Sequence, residues 1–132
     1  MVSQKLKNIF FISIFVSIAH GLEEYFSGFY NVDPVFKFFF HYFGTMSISQ
    51  ATFLVFQIML WLVLIIFAFL IASEKWQLRL MVIPGLIYIF ELHHFWGALM
   101  SGGYYPGVIT AIAFPIIGFL FWKELLKNLQ HV

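Results

Sequence analysis

Residues 51–72 read ATFLVFQIMLWLVLIIFAFLIA, and Gln57 is the one strongly polar side chain among them. From residue 60 to residue 71 the run is apolar on every face. It has neither the alternation of a half-buried strand nor the one-sided stripe of a surface helix. The hydrocarbon of a bilayer is roughly 30 Å thick, and about 20 apolar residues in helical form cross it. A closed β-barrel, the other structure that satisfies its backbone within lipid, requires alternating segments of about ten residues. The stretch is therefore expected to be a transmembrane helix.

The whole chain shares this character. Its 132 residues are 62% hydrophobic and 10% charged, with a mean hydropathy of +0.93, whereas a soluble domain carries about 25% charged residues. Residues 8–30, 78–100 and 106–122 also have the length and apolarity of spans. The expectation is an all-α, polytopic membrane protein: a four-transmembrane-helix bundle forming a single membrane domain over residues 1–132. A net charge of +1 without a basic, aromatic-interleaved patch gives no support to a nucleic-acid partner. The absence of cysteine excludes disulfides, thiolate catalysis and zinc–sulfur sites. Lys5, Lys7, the apolar run from Ile9 and the small residues Ser17-Ile18-Ala19 also fit a cleaved signal peptide. Phe26, Phe29 and Tyr30 extend the apolar character beyond that site and favour a retained span.

Punctuation along the chain agrees with this division. Asn31, Asp33 and Pro34 end the first span, and residues 35–43 form a very aromatic segment containing Lys37 and His41. That segment is too short to span and fits an interfacial or re-entrant segment, since aromatic rings concentrate at the headgroup level. Ser47 or Ser49 can cap the second span. Residues 73–77 form a polar turn, residues 101–103 close the third span, and Pro106 suits the first turn of the fourth. Pro84 and Pro115 are expected to kink their helices. With four spans, Lys5, Lys7, Lys75, Arg79, Lys123 and Lys127 fall on one side and Lys37 on the other. The positive-inside rule then puts both termini in the cytoplasm.

Within this apolar chain lies a set of ionisable side chains. The first span contains His20-Gly21-Leu22-Glu23-Glu24 and the third Glu91-Leu92-His93-His94. At about 100° per residue, Glu23 and Glu24 flank the axial row of His20 one turn further on. Glu91 and His94 share a face, and His93 points away from it. At about 1.5 Å per residue from residue 8, His20 lies roughly 18 Å deep and Glu24 roughly 24 Å. From residue 78, Glu91 lies roughly 20 Å and His94 roughly 24 Å deep. The two sets meet in one layer of the outer half, which Gln57 also reaches. A charged residue near a helix centre costs about 2.5–3.5 kcal/mol, so three unpaired glutamates would cost on the order of 8 kcal/mol. Mutual pairing, proton transfer or a bound metal relieves that cost.

His20-x-x-Glu23-Glu24, a further histidine at His93 or His94, and Tyr104-Tyr105-Pro106-Gly107 stand in this order. In these motifs the chain resembles the H-x-x-E-E family of bacterial integral membrane proteins. The resemblance implies a multi-pass protein of the bacterial inner membrane with its site at these residues, and it implies no activity.

The candidate catalytic residues are thus His20, Glu23, Glu24, Glu91 and His94, and the same five are the candidate ligands of a divalent metal. His93, Gln57, Tyr105 and His41 are candidates for a supporting or substrate-binding role. The plainer reading of the cluster is a polar clamp between helices, but interhelical polar contacts average only about 0.6 kcal/mol. Gln57 also fits helix-packing glue, His41 an interfacial residue, and Tyr104–Gly107 a loop that starts a helix. His131, near the cytoplasmic end, is expected to be solvated. An enzyme acting on a lipid or isoprenoid by acid–base chemistry suits the apolar walls, with a glutamate moving the proton and the histidines orienting it. A proton-coupled transporter or relay is the alternative, as is a metal-binding or structural bundle, in which Glu91-x-x-His94 has the i, i+3 form of di-iron bundles. Membrane lipids are the expected partners, with a lipid-like substrate, and an oligomer is compatible with so small a bundle.

Overall fold

Ser3 opens the first helix by accepting the Leu6 N–H on its hydroxyl at 3.2 Å. In this computed structural model, which describes residues 2–130 apart from the side chains of Leu60, Leu64, Phe67, Ala68 and Ile71, the chain is helical and no strand occurs among the described residues. The order is α1 (Gln4–Ser27), α2 (Pro34–His41), α3 (Ile48–Ala72), α4 (Glu74–Leu80), α5 (Val82–Phe90), α6 (His93–Ser101), α7 (Val108–Ala111) and α8 (Phe114–Gln130). Short 3₁₀ turns, Phe29–Asn31 and Phe43–Thr45, flank α2. His131 lies outside the described residues.

Three helical stretches are long and apolar enough to cross a membrane: Gln4–Ser27, Glu74–Ser101 and Val108–Gln130. The helix α3 is 25 residues long and opens on a capping box in which Ser47 and Gln50 satisfy each other's backbone.

Several boundaries differ from the sequence reading. The first helix begins at Gln4 and stops at Gly28, whose left-handed backbone (φ 73°) lets its N–H bond back to Glu24 and Tyr25. Asp33 and Pro34 start α2 rather than ending α1: the Asp33 carboxylate accepts from Val35 and Phe36, and Pro34 sits in the first turn. The polar turn at 73–77 shrinks to extended Ser73, because Glu74 already begins α4. The last helix runs on to Gln130, well past the apolar limit at Trp122. Its charged end finds partners, with Lys5 Nζ 2.7 Å from Glu124 Oε1.

The prolines act as expected, one turn upstream of where each sits. Proline removes an N–H and crowds the carbonyl four residues before it. The helix 74–101 accordingly breaks at Met81, ahead of Pro84, and the helix 108–130 at Ile112 and Ala113, ahead of Pro115. A third interruption, at Glu91 and Leu92, follows no nearby proline. Here Leu92, His94 and Phe95 donate to carbonyls three residues back, a 3₁₀ pattern.

The helix α8 packs against α1, α4 and α5. The buried core is Leu6, Leu78, Tyr88, Ala111, Phe114, Phe121 and Leu125. Ser3 N–H donates to Asn128 Oδ1 at 2.7 Å, so α1 starts where α8 ends and the two are antiparallel. The Ser13 and Tyr88 hydroxyls meet at 2.5 Å, and Trp122 Nε1–H donates to the Gly85 carbonyl at 2.9 Å. These contacts set residues 74–101 parallel to α1 and antiparallel to α8. The helix α3 packs on α4, with the Phe69 and Trp76 rings 4.8 Å apart.

Candidate functional site

At the end of the bundle remote from the termini, α1 delivers His20, Glu23 and Glu24, and the 3₁₀ turn between α5 and α6 delivers Glu91 and His94. In a 3₁₀ turn side chains three apart eclipse, so Glu91 stands over His94, with Glu91 Oε2 3.3 Å from His94 Nε2. Across the gap, Glu91 Oε2 lies 2.8 Å from His20 Nε2. Glu24 Oε1 completes the group, 3.2 Å from His94 Nε2 and 3.6 Å from His20 Nε2. One donor atom from each of His20, Glu24, Glu91 and His94 lies within 4.8 Å of every other. The two imidazoles meet edge to face with centroids 4.6 Å apart.

Exposure is graded across the four. The side chains of His94 and His20 are 0% and 4% exposed, those of Glu91 and Glu24 15% and 25%. Beside Glu24 an open groove of about 190 Å³ is lined by the rings of Tyr25, Phe29, Tyr30, Phe36 and Phe40.

The structure places Glu23 outside this group. Its carboxylate accepts from the Thr110 hydroxyl at 2.5 Å, the Thr110 N–H at 2.8 Å, the Ile109 N–H at 3.2 Å and the Tyr104 hydroxyl at 3.1 Å. Glu23 therefore ties α1 to the first turn of α7, where helical N–H groups lack intrahelical partners.

That tie orients His20. The Thr110 hydroxyl proton goes to acceptors, the Glu23 carboxylate and, at 3.3 Å, the Gly107 carbonyl. Its oxygen, 2.8 Å from His20 Nδ1, can then only accept. His20 is thus protonated on Nδ1. His94 is fixed in the same way, since its Nδ1 lies 2.7 Å from the Pro106 carbonyl, an acceptor only. Both imidazoles turn Nε2 toward the centre of the group, and the buried His94 Nε2 has no hydrogen-bond partner.

The Tyr104–Gly107 segment lies over the two histidines. Pro106 precedes α7 instead of occupying its first turn, and it contributes the carbonyl that holds His94. Gly107 has φ 87°, and a Cβ there would come within 2.7 Å of His94 Cε1 and 2.9 Å of His20 Cε1. The Tyr105 ring lies 5.9 Å from that of His94, and its hydroxyl donates to Asp33 Oδ2 at 2.9 Å, outside the four side chains. Burial, followed by the hydrogen bond and negative charge of Asp33, pushes the Tyr105 hydroxyl up to about 12.

The other sequence candidates bond elsewhere, although the His93 ring lies 4.1 Å from that of His94. His93 bonds through Nδ1 to the Phe90 carbonyl at 2.8 Å, and its Nε2 is 3.6 Å from Asp33 Oδ2. His41 is exposed at the end of α2, against Tyr42. Gln57 forms no hydrogen bond or ion pair with the four among the described residues. Sequence reasoning missed Thr110 and Asp33. Thr110 carries a signal nonetheless, as the one polar side chain between Pro106 and Trp122. Asp33 reads from the sequence as the end of the first span, whereas it caps α2, and nothing local announces Tyr105 as its partner. No protein-family model, no curated protein and no solved structure matches the chain.

Proposed function

We propose that the chain is a four-span protein of the H-x-x-E-E type in the bacterial inner membrane, and that it is an enzyme acting on a lipid or isoprenoid by acid–base chemistry. In this reading α3 is a span, both termini are cytoplasmic, and α2 with its flanking turns lies at the outer interface. His20, Glu24, Glu91 and His94 form the reacting centre. Glu23, Tyr105 and His93 support it through Thr110 and Asp33, while Gln57 and His41 take no direct part.

One observation carries the reading: Glu24, the most exposed of the four, opens onto the aromatic groove, while the histidines are closed behind it. A carboxylate at the mouth of an apolar groove meets the polar end of an amphiphile whose tail lies along aromatic rings. Glu24 is then the proton carrier, and the histidines position it. On the other side of the centre, Tyr88, Phe114 and Phe121 fill the core. That packing supports a one-sided site over a through path for proton-coupled transport.

The test compares the lipid and isoprenoid content of cells producing the native chain, Glu24→Gln and His41→Gln. A species that accumulates or disappears with Glu24→Gln alone is expected. Identical profiles, with native-level membrane insertion of all three proteins, would sink the enzymatic reading.

A further inference from the structure

We infer that His20, Glu24, Glu91 and His94 form a binding site for one divalent first-row transition cation, with Glu23 and Thr110 as an outer shell that aims His20. This deepens the enzymatic reading and rests on it only for the role of Glu24 at the mouth of the groove.

Tautomers come first. Thr110 and the Pro106 carbonyl take the Nδ1 protons of the two histidines. In its neutral form each imidazole so held presents its Nε2 lone pair to the carboxylates of Glu24 and Glu91, and a cation would take the place of the proton now shared between His20 Nε2 and Glu91. Metal-bound histidines are held in this manner, the far nitrogen donating to a carbonyl or a carboxylate-linked group. The Glu23–Thr110–His20 chain and the Pro106–His94 bond are two such supports.

Spacing is the second argument. Ligands held about 2.0–2.2 Å from a tetrahedral cation lie roughly 3.3–3.6 Å from one another. His94 Nε2 stands 3.2 Å from Glu24 and 3.3 Å from Glu91, and His20 Nε2 stands 3.6 Å from Glu24. The His20–Glu91 edge is the shortest of these nitrogen–oxygen edges, at 2.8 Å, and all four donor atoms lie within 4.8 Å of one another. The fully buried His94 Nε2 lies nearly midway between two carboxylates yet makes no hydrogen bond with either. A proton on that nitrogen would point at one of them, whereas a shared cation needs the bisecting position it has.

Charge is the third. Two carboxylates with two neutral imidazoles carry two negative charges, which a divalent ion cancels. Lipid penalises net charge severely, so a neutral centre is the favoured content of this layer. Imidazole and carboxylate without sulfur suit zinc, iron or manganese. Glu24 is the corner that faces the groove.

The experiment uses the full chain purified in detergent without an affinity histidine tag, stripped with chelator and titrated with Zn²⁺. Bound metal is counted by mass spectrometry after dialysis. About one Zn²⁺ per chain is expected, with little uptake by His94→Gln and native uptake by His93→Gln. Thr110→Val keeps every donor side chain but removes the support of His20, and it should bind about 10–100-fold more weakly. If His94→Gln loses its helical circular dichroism, Thr110→Val and Glu24→Gln carry the comparison. No uptake by the folded native chain, or equal uptake by the native chain and a folded His20→Gln/His94→Gln double variant, overturns the site. So does native affinity in Thr110→Val. Bound zinc with an unchanged lipid profile in Glu24→Gln would remove the enzymatic reading alone. An altered profile without bound zinc would remove the cation alone.

Discussion

Gly107 leaves no room for a side chain, since a methyl there meets both histidine rings at under 3 Å and its backbone is left-handed. Gly107→Ala should therefore destabilise the fold by about 1–3 kcal/mol through overpacking and backbone strain. Thermal unfolding in detergent reads this, and an unchanged midpoint would contradict the packing described. Tyr105 makes a second residue-level case. Tyr105→Phe strips a buried donor from Asp33 Oδ2, at a cost of about 1–3 kcal/mol. The raised Tyr105 value also sets a sign. The folded chain holds this proton up to about 12, and the unfolded chain releases it near 10. Stability from Tyr105 is thus fully present below pH 10 and falls as pH rises from about 10 to 12. Denaturation across that window should be less pH-dependent in Tyr105→Phe than in the native chain.

Among the elements, the 3₁₀ turn at Glu91 and the short helix α7 decide where the site is. An uninterrupted α-helix would offset Glu91 and His94 by about 60° around the axis, whereas a 3₁₀ turn eclipses them. The loop before α7 supplies Pro106 and Gly107, and the first turn of α7 is held from α1 by Glu23, with His20 also bonded to Thr110. Glu23→Gln would place an amide NH₂ against donors that now converge on a carboxylate. We expect a loss of about 1 kcal/mol, since the network is partly exposed and at least one of its hydrogen-bonding groups loses its partner. Thr110→Ser, which keeps the hydroxyl, should lose much less. Equal losses in the two variants, measured by thermal unfolding, would mean that the hydrogen bonds are not what holds α7.

For the whole molecule, the absence of cysteine makes topology directly testable. The proposed four-span topology expects single cysteines at Lys7, Lys75 and Lys127 to react with an impermeant maleimide only after the membrane is breached. One at Lys37 should react from outside. Labelling of Lys37→Cys and Lys75→Cys from the same side would mean that α3 does not cross the bilayer. The helices themselves were legible, because apolar length and composition alone dictate them in lipid. The acidic–histidine layer was legible too, since α1 and residues 74–101 run parallel and start near the same level. Helix ends were less so: hydropathy stops at the first charged residue, while the backbone of α8 continues through Lys123 and Glu124 to Gln130.

What the sequence determined by itself is the helical, lipid-fitted character of the chain and the identity of its ionisable residues, because both follow from composition and local spacing. The tertiary structure alone decided how those residues divide. Glu23 and Glu24 are neighbours with the same side chain, yet one ties down α7 through Thr110 and the other faces the groove beside His94. Their difference lies in what α7 and the 3₁₀ turn bring to each side of α1. Those partners stand about 70–90 residues away along the chain, so no local pattern around Glu23 or Glu24 could assign the roles.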